Sequence, residues 1–190
     1  MSHQPLGARR LLGLFLLLLA LGARGADSRL DGLWLVDAEA SDPARRRIDA
    51  ALRSVTRDLR PRSRGGPSRP APPGIEGLLA PLQVPRETVA LALSEDAVEL
   101  RVDGGRTERV YTDGRPSVVD ADNPGVAIAA WERGALWIER TSDRGTRVIE
   151  RWSHADGVLR ADYEVRNGLL DRPLEFTLFF TAPEEGPNRP

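Results

Sequence analysis

From Glu87 to Thr181, apolar and polar residues alternate with a period of two, the pattern of β-strands that bury one face. The clearest run is 159–166, where Leu, Ala, Tyr and Val alternate with Arg, Asp and Glu. Turn-forming Gly, Asp, Asn and Ser residues divide the region into runs that recur about every 8–12 residues. The pattern predicts an antiparallel up-and-down meander, and closing such a sheet into a barrel removes its unpaired edges.

We therefore predict a mainly β protein with one short strand before a helix and a meander after it. The predicted strands are Asp31–Asp37, Val89–Leu93, Val98–Val102, Thr107–Thr112, Ser117–Asp120, Val126–Glu132, Leu136–Ser142, Thr146–His154, Leu159–Arg166 and Leu174–Thr181.

A helical pattern follows the first predicted strand. Ser41 or Asp42 can cap a helix that has Pro43 in its first turn. Apolar residues then recur at helical spacing along one stripe, at Ile48, Ala51, Leu52, Val55 and Leu59. Residues 60–74 are rich in Pro and Gly, which predicts a flexible loop. Residues 75–82 have the composition for one or two further helical turns.

The first 25 residues predict an export signal. Arg9-Arg10 precede an unbroken run of 11 residues from Leu11 to Leu21, and Ala23-Arg24-Gly25 offers a cleavage site. The run is too short to span a bilayer, which takes about 20 apolar residues. We expect a periplasmic or secreted protein with no transmembrane span after cleavage. Export by the general secretory or the twin-arginine route stays open, and an uncleaved anchor is the alternative.

The chain length predicts a single domain after the signal. We expect this β-barrel domain to cover 26–183, with the helix and the loop as an insertion over 43–85. Residues 184–190 are expected to be a disordered tail.

Composition removes several chemistries from consideration. The chain has no cysteine, which excludes disulfides, thiolate metal sites and a cysteine nucleophile. All 27 basic residues are arginine, which indicates a GC-rich genome and lowers the weight of any single arginine as a ligand. His154 is the only histidine after the signal, and no nucleophile or orienting acid accompanies it in the sequence. We predict no catalytic residue, no metal site and no cofactor.

One hairpin carries two glutamates that the sequence places close together. Residues 137–140 lead into a turn at 143–145, and residues 148–152 lead out of it. With a two-residue loop, Glu139 and Glu150 share one face about 5–8 Å apart, a separation that glycosidases use. A three-residue loop puts them on opposite faces. We favour solvated ion pairs with the neighbouring arginines and keep a carboxylate-pair hydrolase as a distant alternative.

Positive charge is concentrated in one segment. Residues 45–69 contain nine arginines and two aspartates, a net charge of +7, whereas the rest of the chain after the signal carries −11. Candidate contacts with an anionic membrane surface, lipopolysaccharide or an acidic protein are Arg45, Arg46, Arg47, Arg53 and Arg57. Alternatively, these arginines are solvated or pair with the acidic sheet. Export and the negative net charge argue against nucleic acid as a partner.

Gly32-Leu33-Trp34 resembles the Gly-x-Trp motif that opens the first strand of lipocalins. The resemblance implies a lipocalin-like barrel in which Trp34 closes one end. In that family an arginine from the last strand packs across the tryptophan, and the nearest candidate here is Arg172.

Nearly the whole chain after the signal is similar to a group of exported proteins from proteobacteria and acidobacteria. These share the Gly-x-Trp strand, a Ser-Asp-Pro before a basic helix (residues 41–43 here), a Gly/Arg/Pro-rich loop and an Asp-Gly-Arg in the meander (residues 113–115). This resemblance implies a cell-envelope barrel and no particular activity.

The sequence supports two functions of different kinds. The first is a non-enzymatic envelope protein that binds a small apolar or amphipathic ligand inside the barrel, since a barrel of about eight strands or more can hold one. The alternative is an interaction module that docks an anionic surface through the basic segment 45–69.

Overall fold

The computed structural model describes residues 26–58, 85, 87–119, 125–142 and 145–184. The predicted mainly β architecture, with one helix after the first strand, is confirmed. A 3-10 turn spans Ser28–Leu30 and helix α1 spans Asp42–Asp58. Strands β1 to β10 are Gly32–Val36, Thr88–Leu93, Ala97–Val102, Thr107–Tyr111, Ser117–Val119, Gly125–Glu132, Ala135–Ser142, Arg147–Ala155, Val158–Arg166 and Leu174–Thr181.

Several predictions concern residues outside those ranges. They are the signal peptide 1–25, the loop 60–74, the further helical turns at 75–82 and most of the tail, 185–190. The single-domain boundaries 26–183, with the insertion 43–85, therefore stay a prediction.

The strands form one antiparallel sheet in the order β4-β3-β2-β1-β10-β9-β8-β7-β6-β5. Strands β4 and β5 stand at its two ends, and the sheet curls until these ends approach each other. There Tyr111 N donates to Ser117 Oγ at 3.0 Å, and Gly114 N donates to Ala129 O at 3.1 Å. The result is a nearly closed up-and-down barrel.

Inner side chains of β5 to β10 align in four rows that cross the strands, because the register of each pair is continuous with the next. The first row is Leu174, Val165, Val148, Arg140, Ala127 and Ser117; the second is Phe176, Tyr163, Glu150, Ile138 and Ala129; the third is Leu178, Ala161, Trp152 and Leu136; the fourth is Phe180, Leu159 and His154. The fourth row lies towards Trp34, since Leu35 of β1 pairs with Thr181. We call the two ends the Leu174 end and the Trp34 end.

The two largest fully buried apolar side chains lie in the third and fourth rows. Trp152 and Phe180 are fully buried, with ring centroids 5.7 Å apart. Burying a large apolar side chain of this kind stabilises a fold by about 1.5–3 kcal/mol. Within the four rows, the buried charged side chains are Arg140 in the first and Glu150 in the second, whereas the third and fourth rows contain no buried charge.

Helix α1 continues along β10 where β1 stops. Strand β1 pairs with β10 only through Leu35 and Val36, and the chain then leaves the sheet. Beyond that point Ser41 Oγ accepts a hydrogen bond from Phe179 N at 3.0 Å. Further along, Arg47 Nη1 donates to Glu175 O at 3.1 Å. The helix therefore satisfies backbone groups of β10 that a longer β1 would otherwise pair.

Replacement of the buried Ser41 by alanine is expected to lower the free energy of unfolding by about 1–3 kcal/mol, because Phe179 N loses its acceptor without gaining water. Ser28→Ala is the matched control, since Ser28 is exposed and should change stability by less than about 0.5 kcal/mol. Urea unfolding of both variants measures the difference, and equal stabilities would show that the contact does not anchor the helix.

Candidate functional site

A groove of about 770 Å³ opens at the Leu174 end, between α1 and the β9–β10 connection. This volume lies within the range of about 300–1,000 Å³ that is common for small-molecule sites. Its apolar lining comes from Ala50, Ala51, Leu169, Leu170, Pro173 and Leu174. Leu170 and Leu174 also pack against the core of the barrel. The apolar surface of the groove is therefore continuous with the interior.

The charged lining of the groove is balanced. Arg47 and Arg172 face it together with Asp171 and Glu175. Two positive and two negative side chains give no net preference for an anionic or a cationic ligand. The groove therefore offers apolar surface beside a charged lining that has no net charge.

A buried cluster of Glu108, Arg140 and Glu150 lies inside the barrel behind this end. Arg140 Nε donates to Glu150 Oε1 at 2.5 Å, and Arg140 Nη1 pairs with Glu108 Oε1. Trp152 Nε1 donates to Glu150 Oε2 at 2.9 Å. All three charged side chains are at least nine-tenths buried. The cluster links β4, β7 and β8 across the interior.

Electrostatics keep Arg140 charged in this setting. Burial lowers the pKa of the Arg140 guanidinium, but the nearby carboxylates of Glu150 and Glu108 outweigh it and raise the pKa above its ordinary value. Tyr163, beside Glu150 in the second row, behaves differently. Burial, with a smaller contribution from Glu150, raises the pKa of the Tyr163 hydroxyl well above its ordinary range.

Of the two loop lengths considered for this hairpin, the three-residue loop is the one observed, so the shared face of Glu139 and Glu150 that a two-residue loop would give is wrong. Ile138 pairs with Glu150, and Glu139 pairs with Ile149, so the two carboxylates point to opposite sides of the sheet. Ser142 N donates to Thr146 O at 2.9 Å, which leaves three residues in the loop. Glu139 lies on the outer face and binds Arg147 at 2.6 Å. The two glutamates therefore cannot act as a carboxylate pair on one substrate.

Trp34 lies at the opposite end of the barrel from the groove. Its ring is buried, and its Nε1 donates to Leu30 O at 3.0 Å. The residue against it is His154, with ring centroids 5.5 Å apart. Arg172, the nearest candidate for the arginine of the lipocalin resemblance, precedes β10 at its Leu174 end. Trp34 lies near the final residue of β10, so Arg172 does not pack across it.

The arginines of α1 differ in their surroundings. Arg46 pairs with Asp42 one turn earlier, and Arg47 is bound to β10 and faces the groove. Arg45 and Arg53 are exposed, while the side chain of Arg57 lies outside the described part. The predicted contact with an anionic surface stays a prediction.

Within the described residues, no group of three or more histidine, aspartate or glutamate side chains could hold a metal ion. In the same part of the chain, no helix is both long enough and apolar enough to cross a bilayer.

Sequence reasoning missed both the groove and the buried cluster. The alternation in β7 and β8 contained the signal for the cluster, because a three-residue loop places Arg140 and Glu150 inside together. No comparable signal exists for the groove, which depends on how α1 packs against residues that are far away in the sequence.

The sequence matches no protein-family model and no curated protein. Two solved structures are similar to the chain. The apo lipid binding protein 8 of Caenorhabditis elegans has 10% identity and a TM-score of 0.50, covering 85% of this chain and 100% of that one. A secretary abundant heat soluble protein of Ramazzottius varieornatus has 10% identity and a TM-score of 0.49, covering 84% of this chain and 97% of that one.

The fold is a nearly closed up-and-down β-barrel with one helix. At this level of identity, the similarity to the first of these structures concerns the fold alone. The barrel has its one helix between β1 and β2 in the described part, so the groove lies where α1 meets the last strand.

Glu150→Ala is expected to destabilise the protein by about 3–5 kcal/mol, because it removes one partner from a buried charged cluster. Glu139→Ala is the matched control in the same hairpin. Its ion pair with Arg147 is partly exposed and should contribute no more than about 1 kcal/mol. Chemical denaturation measures both, and similar losses would contradict the inward placement of Glu150.

Stability should fall as the pH rises above about 10, because the unfolded chain ionises Tyr163 there and the native protein does not. The direction follows from the raised pKa of Tyr163 in the native protein. Its contribution to the free energy of unfolding is fully present below the pKa of tyrosine in the unfolded chain, and it is lost as the pH rises above that value. Tyr163→Phe removes this contribution. Urea unfolding from about pH 9 to 11.5 should give a shallower decline for the variant, and parallel curves would contradict the assignment.

Proposed function

We propose that this protein is a non-enzymatic binding protein of the cell envelope that holds a small amphipathic ligand at the Leu174 end of its barrel. The observation that carries the proposal is the groove of about 770 Å³, whose apolar surface at Leu170 and Leu174 is continuous with the core. A ligand there can bury its apolar part against the barrel and keep its remainder near the charged lining.

The fold supports this proposal. One protein with a similar barrel is named for lipid binding, and pockets at the mouths of β-barrels are common ligand sites. The envelope location rests on the sequence of residues 1–25, which has the order of an export signal.

The described residues offer little support for catalysis. Glu139 and Glu150 face opposite sides, and the inward carboxylate of Glu150 is bound to Arg140 and Trp152. Both oxygens of this carboxylate are therefore engaged by donors inside the barrel, and they are not free to contact a substrate. Binding is therefore the better account of the site.

The alternative function, docking through the basic segment 45–69, has weaker support from α1. Arg46 and Arg47 already have partners within the protein, which reduces the charge that the helix presents. A docking surface of this kind would bind anionic vesicles with a strong dependence on salt. Binding of an uncharged ligand in the groove should not depend strongly on salt. The salt dependence of binding therefore distinguishes the two functions.

Ala51→Trp is expected to fill the groove and weaken binding of an uncharged fluorescent probe, N-phenyl-1-naphthylamine, by at least about tenfold, or about 1.4 kcal/mol. Asp49→Trp is the control, since Asp49 is exposed on the same helix and does not line the groove. Fluorescence titration of the purified protein measures both affinities. Equal weakening, or no saturable binding by the unmodified protein, would overturn the proposed function.

A further inference from the structure

Asn167 folds the first turn of the connection between β9 and β10. Its Oδ1 accepts a hydrogen bond from Leu169 N at 2.8 Å, and its backbone oxygen accepts one from Leu170 N at 3.0 Å. Asparagine is favoured at the first position of such a turn because its side chain can bind the backbone two residues later. Leu169 and Leu170 line the groove. Asn167 therefore directs the segment of chain that forms one wall of the groove.

The side-chain amide of Asn167 also anchors this turn to the β7–β8 hairpin. Its Nδ2 donates to Thr146 Oγ1 at 2.7 Å. Val148 of β8 pairs with Val165 of β9 on the inner face. Thr146 and Asn167 follow two residues further towards the Leu174 end, so their side chains lie on the same face as the valines. The hydrogen bond is therefore a cross-strand contact just beyond the first row.

Thr146 is itself held in place by the end of β7. It is fully buried, and its N–H donates to Ser142 Oγ at 3.1 Å. Its carbonyl oxygen accepts a hydrogen bond from Ser142 N at 2.9 Å, and Ser142 is the last residue of β7. Ser142, Thr146 and Asn167 thus form a polar row across three neighbouring strand ends. This row connects the β7–β8 hairpin to the wall of the groove.

The two contacts of the Asn167 side chain require one acceptor and one donor. A side-chain amide supplies both, with Oδ1 in the turn and Nδ2 on Thr146. Alanine supplies neither. Leu170 packs against the core, whereas Leu169 is 43% exposed. The position of Leu169 therefore depends more on the turn than on packing.

We propose that Asn167 is a positioning residue of the groove: it holds the wall formed by Leu169 and Leu170 and thereby raises the affinity for an amphipathic ligand. Asn167 does not line the groove itself. A binding surface that is ordered before the ligand arrives gives higher affinity, because no free energy of binding is lost in ordering it. This inference rests on the proposed function and adds a residue that controls affinity through the wall.

The first test compares Asn167→Ala with Leu159→Val in fluorescence titrations of N-phenyl-1-naphthylamine. Asn167→Ala is expected to weaken binding of the probe at least about fivefold and to shift the emission of the bound probe to longer wavelength, because water reaches it. Leu159 is fully buried in the fourth row, at the opposite end of the barrel. Leu159→Val lowers stability there and should leave the affinity within about twofold.

Circular dichroism and urea unfolding establish that both variants are folded during the titration. An affinity of Asn167→Ala within about twofold of the unmodified protein, or an equal loss in both variants, overturns the inference and leaves the proposed function intact. If the unmodified protein does not bind the probe, the proposed function itself fails.

Variants of Thr146 test the anchor separately from the turn, and they replace Asn167→Ala if that variant is unfolded. Thr146→Val has the same shape but removes the acceptor Oγ1, and it should weaken binding of the probe about threefold or more. Thr146→Ser keeps Oγ1 and should stay within about twofold of the unmodified protein. Equal affinities of the two variants overturn the inference.

A double variant shows whether the two residues act through one contact. Asn167→Ala combined with Thr146→Val should bind the probe little more weakly than Asn167→Ala alone, because both changes remove the same hydrogen bond. Losses of affinity that add fully in the double variant would contradict the inference.

Discussion

The interior of this barrel depends on the register between β7 and β8. Because successive side chains of a strand point to opposite faces, a shift of one residue would exchange every inner side chain of that hairpin for an outer one. The observed register brings Arg140, Glu150 and Trp152 inside and leaves Glu139 and Arg147 outside. It also aligns Arg140 with Val148 and Val165. The buried cluster and the first row are therefore two results of one pairing.

Helix α1 makes the two ends of the barrel different from each other. Where β1 ends, Ser41 and Arg47 bind the edge of β10 in place of backbone pairs. A helix is wider than a strand, so its side chains stand away from the β9–β10 connection and leave the groove between them. The Trp34 end has no such substitution and is filled by Trp34 and His154. One end of the barrel is thus closed by packed rings, and the other is left with an open groove.

Much of this fold could be predicted from the alternation of apolar and polar residues, since a half-buried strand must show it. The length of the loop between β7 and β8 could not be predicted, because residues 143–145 suit both a two-residue and a three-residue turn. Gly145 adopts a φ of 77°, which fits the last position of a three-residue loop, but that conformation is equally available to a glycine elsewhere. The partner of Trp34 could not be predicted either, because the resemblance offered only Arg172, and the sequence does not show that Arg172 and Trp34 lie at opposite ends of β10. The groove could not be predicted, since it arises from tertiary packing alone.

Because the sheet is not fully closed, the barrel has a defined place where local opening can begin. A fully closed ring of strands has no unpaired edge, whereas this sheet has two ends, β4 and β5, and few described hydrogen bonds join them. Local opening of a native protein begins where backbone pairing is least complete. The ion pair from Glu108 on β4 to Arg140 on β7 crosses this seam from the inside. The buried charged cluster therefore joins the two sides of the seam from within, so the resistance of the barrel to opening depends on an ion pair as well as on backbone pairing.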